Sequence, residues 1–450
     1  MPTLLRPSGL LPTVTALADQ APAERNRVVD LLRASAILVV VLGHWLMAAV
    51  YVDREGGLHR GDLLDLAGWT HPLTWVLQVM PVFFLVGGYS NALSWRSARR
   101  RGEGYGAWLR SRLRRLVLPV LPLMVFWAVV APGAHAAGVD ADLLRIASRA
   151  SLVPTWFMAA YVVVVAVAPL TLLAWERLGW WSIGAGLALG GLVDLVSVSQ
   201  DLVAVGFLNY LVVWSTVHML GYAWLDGELA STARRMALVL VGFGVLYLLT
   251  VKGPYAVSMV GLSTGEIDNA YPTRVPQGFL GLLQAGVVLT LEPVLRRLVA
   301  RRRVWVLTVL VNARIMSIYL WHLTMLGVLV GGSMLVDGFG LHRLPDTAGW
   351  WVTRPLYFAV LALLTAGAVA IVGRFETPAP DPRPAPSALR PVLAVVGTCA
   401  GLGALAAMGI ARNGAILWYL PLVPIAACLL GGVVRLPGGA PQPAQVEGRR

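Results

Sequence analysis

The chain has 450 residues, is 57% hydrophobic and only 13% charged, with a mean hydropathy of +0.71. A soluble protein would carry about 25% charged residues, so the composition excludes a soluble globular enzyme and points to an all-α, polytopic membrane protein. The net charge of +13 reads as basic loops held on the cytoplasmic side rather than as a nucleic-acid surface.

In chain order, residues 1–27 lack the long apolar core of a secretory signal and read as a short cytoplasmic tail. Apolar runs of near-membrane length then recur, and twelve spans are expected at about 28–50, 73–94, 116–131, 155–174, 180–199, 202–224, 236–251, 276–292, 304–330, 351–373, 391–411 and 415–434. Between spans two and three, eight arginines from Arg96 to Arg115 face one acid, Glu103; between spans eight and nine lie Arg296, Arg297, Arg301, Arg302 and Arg303. Placing both termini in the cytoplasm puts 25 of the 36 Lys and Arg in cytoplasmic segments, the bias expected of an inner (plasma) membrane multi-pass protein. Residues 28–374 form a ten-helix domain, 375–390 a Pro-rich cytoplasmic linker, 391–434 an extra helix pair and 435–450 a polar, disordered tail. No residue-level repeat relates the halves, which weakens a transporter reading. The two cysteines, Cys399 and Cys428, lie in late apolar runs and give neither a disulfide framework nor a metal site.

The ionisable residues of span one organise the rest. In DLLRASAILVVVLGH, Asp30, Arg33 and His44 lie within an apolar run. The eleven-residue step from Arg33 to His44 is three turns plus about 20°, which puts both in one stripe roughly 16 Å apart along the axis. Asp30 is one turn before Arg33, within pairing range. Such groups cost about 2.5–3.5 kcal/mol each at membrane depth and are rarely left facing lipid. They form either a polar seam between helices or a reaction site in which His44 is a general base. Span two adds Gly87, Gly88, Tyr89, Ser90 and Asn91, readable as tight helix packing or as a ligand surface. Arg112 and Arg115, one turn apart, suit a polyphosphate, while the remaining arginines suit topology and anionic lipid. Span nine carries Ser317, Tyr319 and His322 on neighbouring faces, and Trp156 opens span four at an outer mouth or as an interfacial anchor. Asp194 and His218 are further intramembrane polar residues that no motif ranks. No phosphate loop, no H-E-x-x-H, no Cys/His metal cluster and no G-x-S-x-G is present.

Taken together these residues resemble acyltransferase family 3, integral membrane proteins that transfer acyl groups to sugars and related hydroxyl acceptors. Arg33-x10-His44 resembles the family's arginine–histidine signature, and Phe83-Phe84 with the glycines after it resembles its FF…G segment. Arg112-x-x-Arg115 followed by Pro119, Trp156-Phe157 and Ser317-x-Tyr319-x-x-His322 resemble its later segments. The likeness covers about 25–375. It departs at Gly87-Gly88-Tyr89-Ser90-Asn91, where many relatives have a Ser-Gly-Phe type of run, and at the extra C-terminal helix pair. The resemblance implies a membrane O-acyltransferase with no tightly bound cofactor and no metal. Its donor is acetyl-CoA or another short acyl-CoA, and its acceptor a hydroxyl of a cell-envelope glycan, glycolipid or glycosylated metabolite. On that reading His44, Arg33 and Asp30 are catalytic, and Arg112, Arg115, Asn91, Trp156, Ser317, Tyr319 and His322 bind substrate, with Tyr319 and His322 donating hydrogen bonds towards the oxyanion. A covalent acyl-histidine route fits the same residues. The alternative class is a transporter or flippase for a glycosylated or lipid-linked substrate. A scaffold in a larger complex is a third. The sequence leaves the oligomeric state open.

Overall fold

The computed structural model of the protein describes residues 25–261, 267–376 and 387–434, preceded by 15, 16, 18–20 and 22. Most of the expected N-terminal tail, residues 377–386 of the Pro-rich linker and the tail from 435 lie outside the described residues. The chain is mostly helical, at 75%. Ten of its described helical stretches are long and apolar enough to cross a membrane, or eleven if one bent pair counts as a single span.

Helix α1 (Arg27–Met47) starts at an Asn26 cap whose side chain accepts from Val28 N, and it carries Asp30, Arg33 and His44. At 1.5 Å per residue its 21 residues reach about 31 Å, a bilayer's hydrocarbon thickness. The first span was expected to run to about 50. It stops at Met47 because Ala48–Val52 (β1) pairs antiparallel with Leu58–Asp62 (β2), in register Ala48↔Asp62 to Val52↔Leu58. The hairpin is pinned at its tip by His59 Nε2, 2.6 Å from Asp53 Oδ2, which holds the Asp53 carboxyl below its usual range. Beside that tip Val52 N donates to Leu341 O at 3.0 Å, which ties the hairpin to the loop after a later helix. The hairpin thus begins one turn beyond His44.

Helix α2 (Met80–Arg100) turns at Gly102 into α3 (Tyr105–Val117), which continues through a short 3-10 turn into α4 (Leu121–Ala136). A short amphipathic helix, α5 (Ala141–Ser151), leads to α6 (Pro154–Leu178), α7 (Trp180–Ser199), α8 (Asn209–Leu225) and α9 (Thr232–Tyr247). The expected eighth span is α10 (Pro276–Thr290), which bends by 57° at its end into α11 (Glu292–Ala300).

Two expectations are corrected. The ninth span, expected as one helix over 304–330, is broken into α12 (Arg302–Asn312) and α13 (Ile315–Met334). Glu376, at the end of the stretch that follows α14 (Ala348–Val372), accepts from Met316 N at 2.7 Å and Ser317 N at 3.2 Å. A continuous helix would spend those N–H groups on carbonyls one turn earlier. After α15 (Leu389–Met408), the expected twelfth span is helical only over α16 (Leu422–Leu430), nine residues. A two-residue ladder, β3 (Ala411–Arg412) with β4 (Ala415–Ile416), and the run before Pro421 use up the remainder. The chain still runs back along α15: Leu417 N donates to Ile410 O, and a Cβ on Gly431 would meet the Arg390 carbonyl. This terminal pair docks on α6, where Thr155 Oγ1 donates to Leu402 O at 3.0 Å and Cys399 Sγ to Ala159 O at 3.3 Å.

The inner helices meet through side chains that permit close approach. Where α2 crosses α8, a Cβ on Gly88 would run into the His218 carbonyl oxygen, and one on Gly221 into that of Leu85. Beside this crossing Phe83, Phe84, Phe157 and Tyr161 interlock edge to face, with ring centroids 5.0–5.7 Å apart, a favoured aromatic geometry. The site is built against this cluster.

Candidate active site

Helices α1 and α13 bring His44 and His322 together across 278 residues of sequence, Nδ1 of His44 lying 2.8 Å from Nε2 of His322. The ring planes are within 6° of parallel. His322 is fully buried and His44 partly exposed, so His44 is the accessible member of the pair. Its Nδ1 edge is turned to His322.

The hydrogen bonds settle which nitrogen carries each proton when both rings are neutral. His322 Nδ1 is 2.5 Å from the Tyr319 carbonyl oxygen, which can only accept, so Nδ1 holds the His322 proton. Its Nε2 is then an acceptor, and His44 must donate from Nδ1. That leaves Nε2 of His44 with its lone pair. The position of His322 is itself fixed by Trp45 Nε1, which donates to the His322 carbonyl at 3.2 Å.

Three turns down α1, Arg33 Nη2 donates to Ser90 Oγ at 2.8 Å. Arg33 lies 3.6 Å from Asp30, but Asp30 is gripped chiefly by Arg25, through Nε at 2.6 Å and Nη2 at 3.1 Å. Asp30 therefore closes the end of the stripe and is remote from His44, so it cannot touch the reacting atoms. Its expected part, orienting Arg33 or tuning its charge, is compatible with the 3.6 Å between the two.

Arg112, on α3, has the charges of Arg115 and Arg33 and the hydroxyl of Tyr161 within electrostatic reach. Its guanidinium stands over Trp108 at 5.9 Å. Among the described residues neither Arg112 nor Arg115 has a carboxylate within ion-pair distance. Three guanidinium groups therefore converge with one acid, Asp30, already shared, and such a cluster favours an anion.

Other expected site residues are committed elsewhere. Ser317 gives its hydroxyl to Glu376 Oε2 at 2.7 Å, as part of the cap on α13. Tyr319 spends its only O–H proton on the Pro154 carbonyl at 3.2 Å, and His322 Nδ1 is taken by Tyr319 O, so neither is free to donate to an oxyanion. Their place is structural support behind His44. Asn91 is buried and donates to His218 Nε2 at 3.1 Å and Tyr161 Oη at 3.5 Å. His218 continues through Tyr222 Oη at 2.9 Å to Thr171, also at 2.9 Å. Trp156 packs on Tyr210 and Phe157 at the start of α6 and is separated from Tyr319 by Phe157.

The residues not singled out from sequence are Trp45, Tyr161 and Glu376. Tyr161 had a signal, lying one turn after Phe157 on the same face of α6. Its hydroxyl fits there because position 87 is glycine, where a Cβ would come within 2.9 Å of it. His218 and Tyr222 were likewise legible as an i,i+4 pair. Glu376 had no signal, because its partners lie across a tertiary contact.

A bundle of long apolar helices with two histidines paired among them defines a multi-pass membrane protein. The chain belongs to acyltransferase family 3: the family model described as an acyltransferase domain matches residues 26–373. No curated protein and no solved structure matches it.

Proposed function

We propose that the protein is a plasma-membrane O-acyltransferase that moves an acetyl or other short acyl group from acyl-CoA to a hydroxyl of an envelope glycan, glycolipid or glycosylated metabolite. The observation that carries this reading is the His44–His322 pair, whose hydrogen bonds leave the lone pair on His44 Nε2, in a chain of an acyltransferase family.

The donor phosphates rest on Arg112 and Arg115, with Arg33 at the foot of the stripe, and the thioester arm extends along α1 towards His44. The roughly 16 Å between Arg33 and His44 is a gap that a long, flexible thioester arm can fill. His44 Nε2 takes the acceptor's hydroxyl proton as that oxygen forms a bond to the thioester carbonyl carbon. Collapse of the tetrahedral intermediate breaks the C–S bond, and the proton on His44 passes to the departing thiolate. Acyl ester and free CoA are the products, and His44 is returned neutral. General-base assistance of this kind contributes about 10²–10⁴-fold.

The test is full-length protein in lipid nanodiscs, given radiolabelled acetyl-CoA and an envelope glycan extract. Acceptor-dependent release of free CoA is expected, falling at least about a hundredfold in His44→Ala. A folded His44→Ala protein that releases CoA at the parental rate overturns the assignment of the base. Parental protein that moves glycan without consuming acetyl-CoA overturns the enzyme reading.

A further inference from the structure

The reaction scheme leaves unused a groove of about 520 Å³ between the C-terminal ends of α2 and α6. Trp95 forms one wall, Pro169, Leu172 and Leu173 the floor, and Arg99 and Arg100 stand at the rim. The floor belongs to an apolar span, and Leu173 is 41% exposed on it. The groove therefore runs from the arginine-rich end of the bundle onto a lipid-facing surface.

Its charges are unequal in kind. Arg96, which also lines the groove, is bound by Glu176 at 2.9 Å and by Asp226 at 2.5 Å. Arg99 and Arg100 are exposed, Arg99 lying over Trp95 at 5.8 Å, and neither has a carboxylate partner among the described residues. Three guanidinium groups against two carboxylates leave one net positive charge. Trp108, edge-on to Trp95 at 5.3 Å, stands between this groove and Arg112, which lies on Trp108.

We propose that the groove binds an anionic membrane phospholipid, with Arg99 and Arg100 on its phosphodiester and an acyl chain along Leu172 and Leu173. A phosphodiester carries one negative charge, which balances the site, and guanidinium meets its oxygens with a forked donor set. A soluble nucleotide polyphosphate brings more charge than the groove offsets and has no use for an apolar floor at bilayer depth. Basic side chains at a membrane surface attract anionic lipid, and two of them together correspond to about thirtyfold in affinity.

The experiment is native mass spectrometry of the full chain in detergent, titrated with phosphatidylglycerol or phosphatidylcholine of the same acyl chains. Phosphatidylglycerol is expected to stay bound where phosphatidylcholine dissociates, and the Arg99→Gln/Arg100→Gln protein to lose about thirtyfold of that affinity. Arg101→Gln, whose guanidinium is already paired with Glu103 and Ser97, is expected to bind as the parent does. Should the double variant not fold, Leu173→Gln and Arg99→Lys/Arg100→Lys ask the same question: the first weakens binding, and the second keeps most of it. Equal retention of the two lipids, unchanged binding in the variants, or displacement of phosphatidylglycerol by ADP would each overturn the proposal.

Discussion

His322 acts on chemistry through another ring. Its Nε2 accepts from His44 Nδ1, and this fixes the tautomer in which His44 Nε2 is the free base. Replacing it with leucine removes the acceptor, so His44 can rotate or present the wrong nitrogen; turnover is expected to fall about a hundredfold while the KM for acetyl-CoA stays nearly constant. His322→Gln keeps an amide oxygen near the same place and is expected to retain more activity than His322→Leu. Steady-state kinetics on the two proteins decide it, and equal losses would reduce His322 to core filling. Both histidines stood out in the sequence, because an ionisable group inside an apolar run is costly unless it has a use. Their contact did not stand out. Helical periodicity orders neighbours along one helix and says nothing about a partner 278 positions away. The same limit misassigned Tyr319: a hydroxyl on the correct face looks available until its one proton is traced to the Pro154 carbonyl.

The elements hold the site because two helices touch where they have no side chains. Gly88 and Gly221 let the backbones of α2 and α8 meet, which sets Ser90 against Arg33 on one side and Asn91 against His218 on the other. Gly88→Ala must push a carbonyl aside, a rigid neighbour, and overpacking of this kind costs about 1–3 kcal/mol. The gain in helix propensity from glycine to alanine is at most about 1 kcal/mol and does not offset it. Gly184 on α7 has open space around its Cβ position, so Gly184→Ala collects the propensity gain alone. Thermal melting in detergent is therefore expected to fall for Gly88→Ala and to hold or rise for Gly184→Ala; a Gly88→Ala protein as stable as the parent would mean the crossing is looser than drawn. The glycine pair within span two was readable as a close contact, since small residues mark helix interfaces in membranes. Its partner helix was not. The helix boundaries read well wherever a whole apolar run lay between turns. They failed at 48–50, 313–314 and 411–416, where two hairpins and Glu376 supply hydrogen bonds that hydropathy does not register.

Across the whole molecule, the ends of α1 and α2 carry opposite electrostatic signatures. The hairpin after α1 lies at one end; the turn after α2 lies at the other, amid eight arginines that include Arg112 and Arg115. An anionic cytoplasmic leaflet attracts each juxtamembrane arginine by about 1 kcal/mol, so this cluster alone outweighs the mixed charge of the hairpin loop. Orientation and chemistry then depend on each other. If the arginine-rich end faces the cytosol, acyl-CoA meets Arg112 and Arg115 where it is made, and His44 lies three turns deeper, towards the hairpin side. Single cysteines at the two ends test this, in a protein whose Cys399 and Cys428 are replaced by serine. A membrane-impermeant maleimide is expected to label Glu55→Cys in intact cells and Arg101→Cys only after permeabilisation. The reverse pattern would place the guanidinium cluster on the side that lacks acyl-CoA, and the donor assignment would fall with the topology even if His44 proved essential.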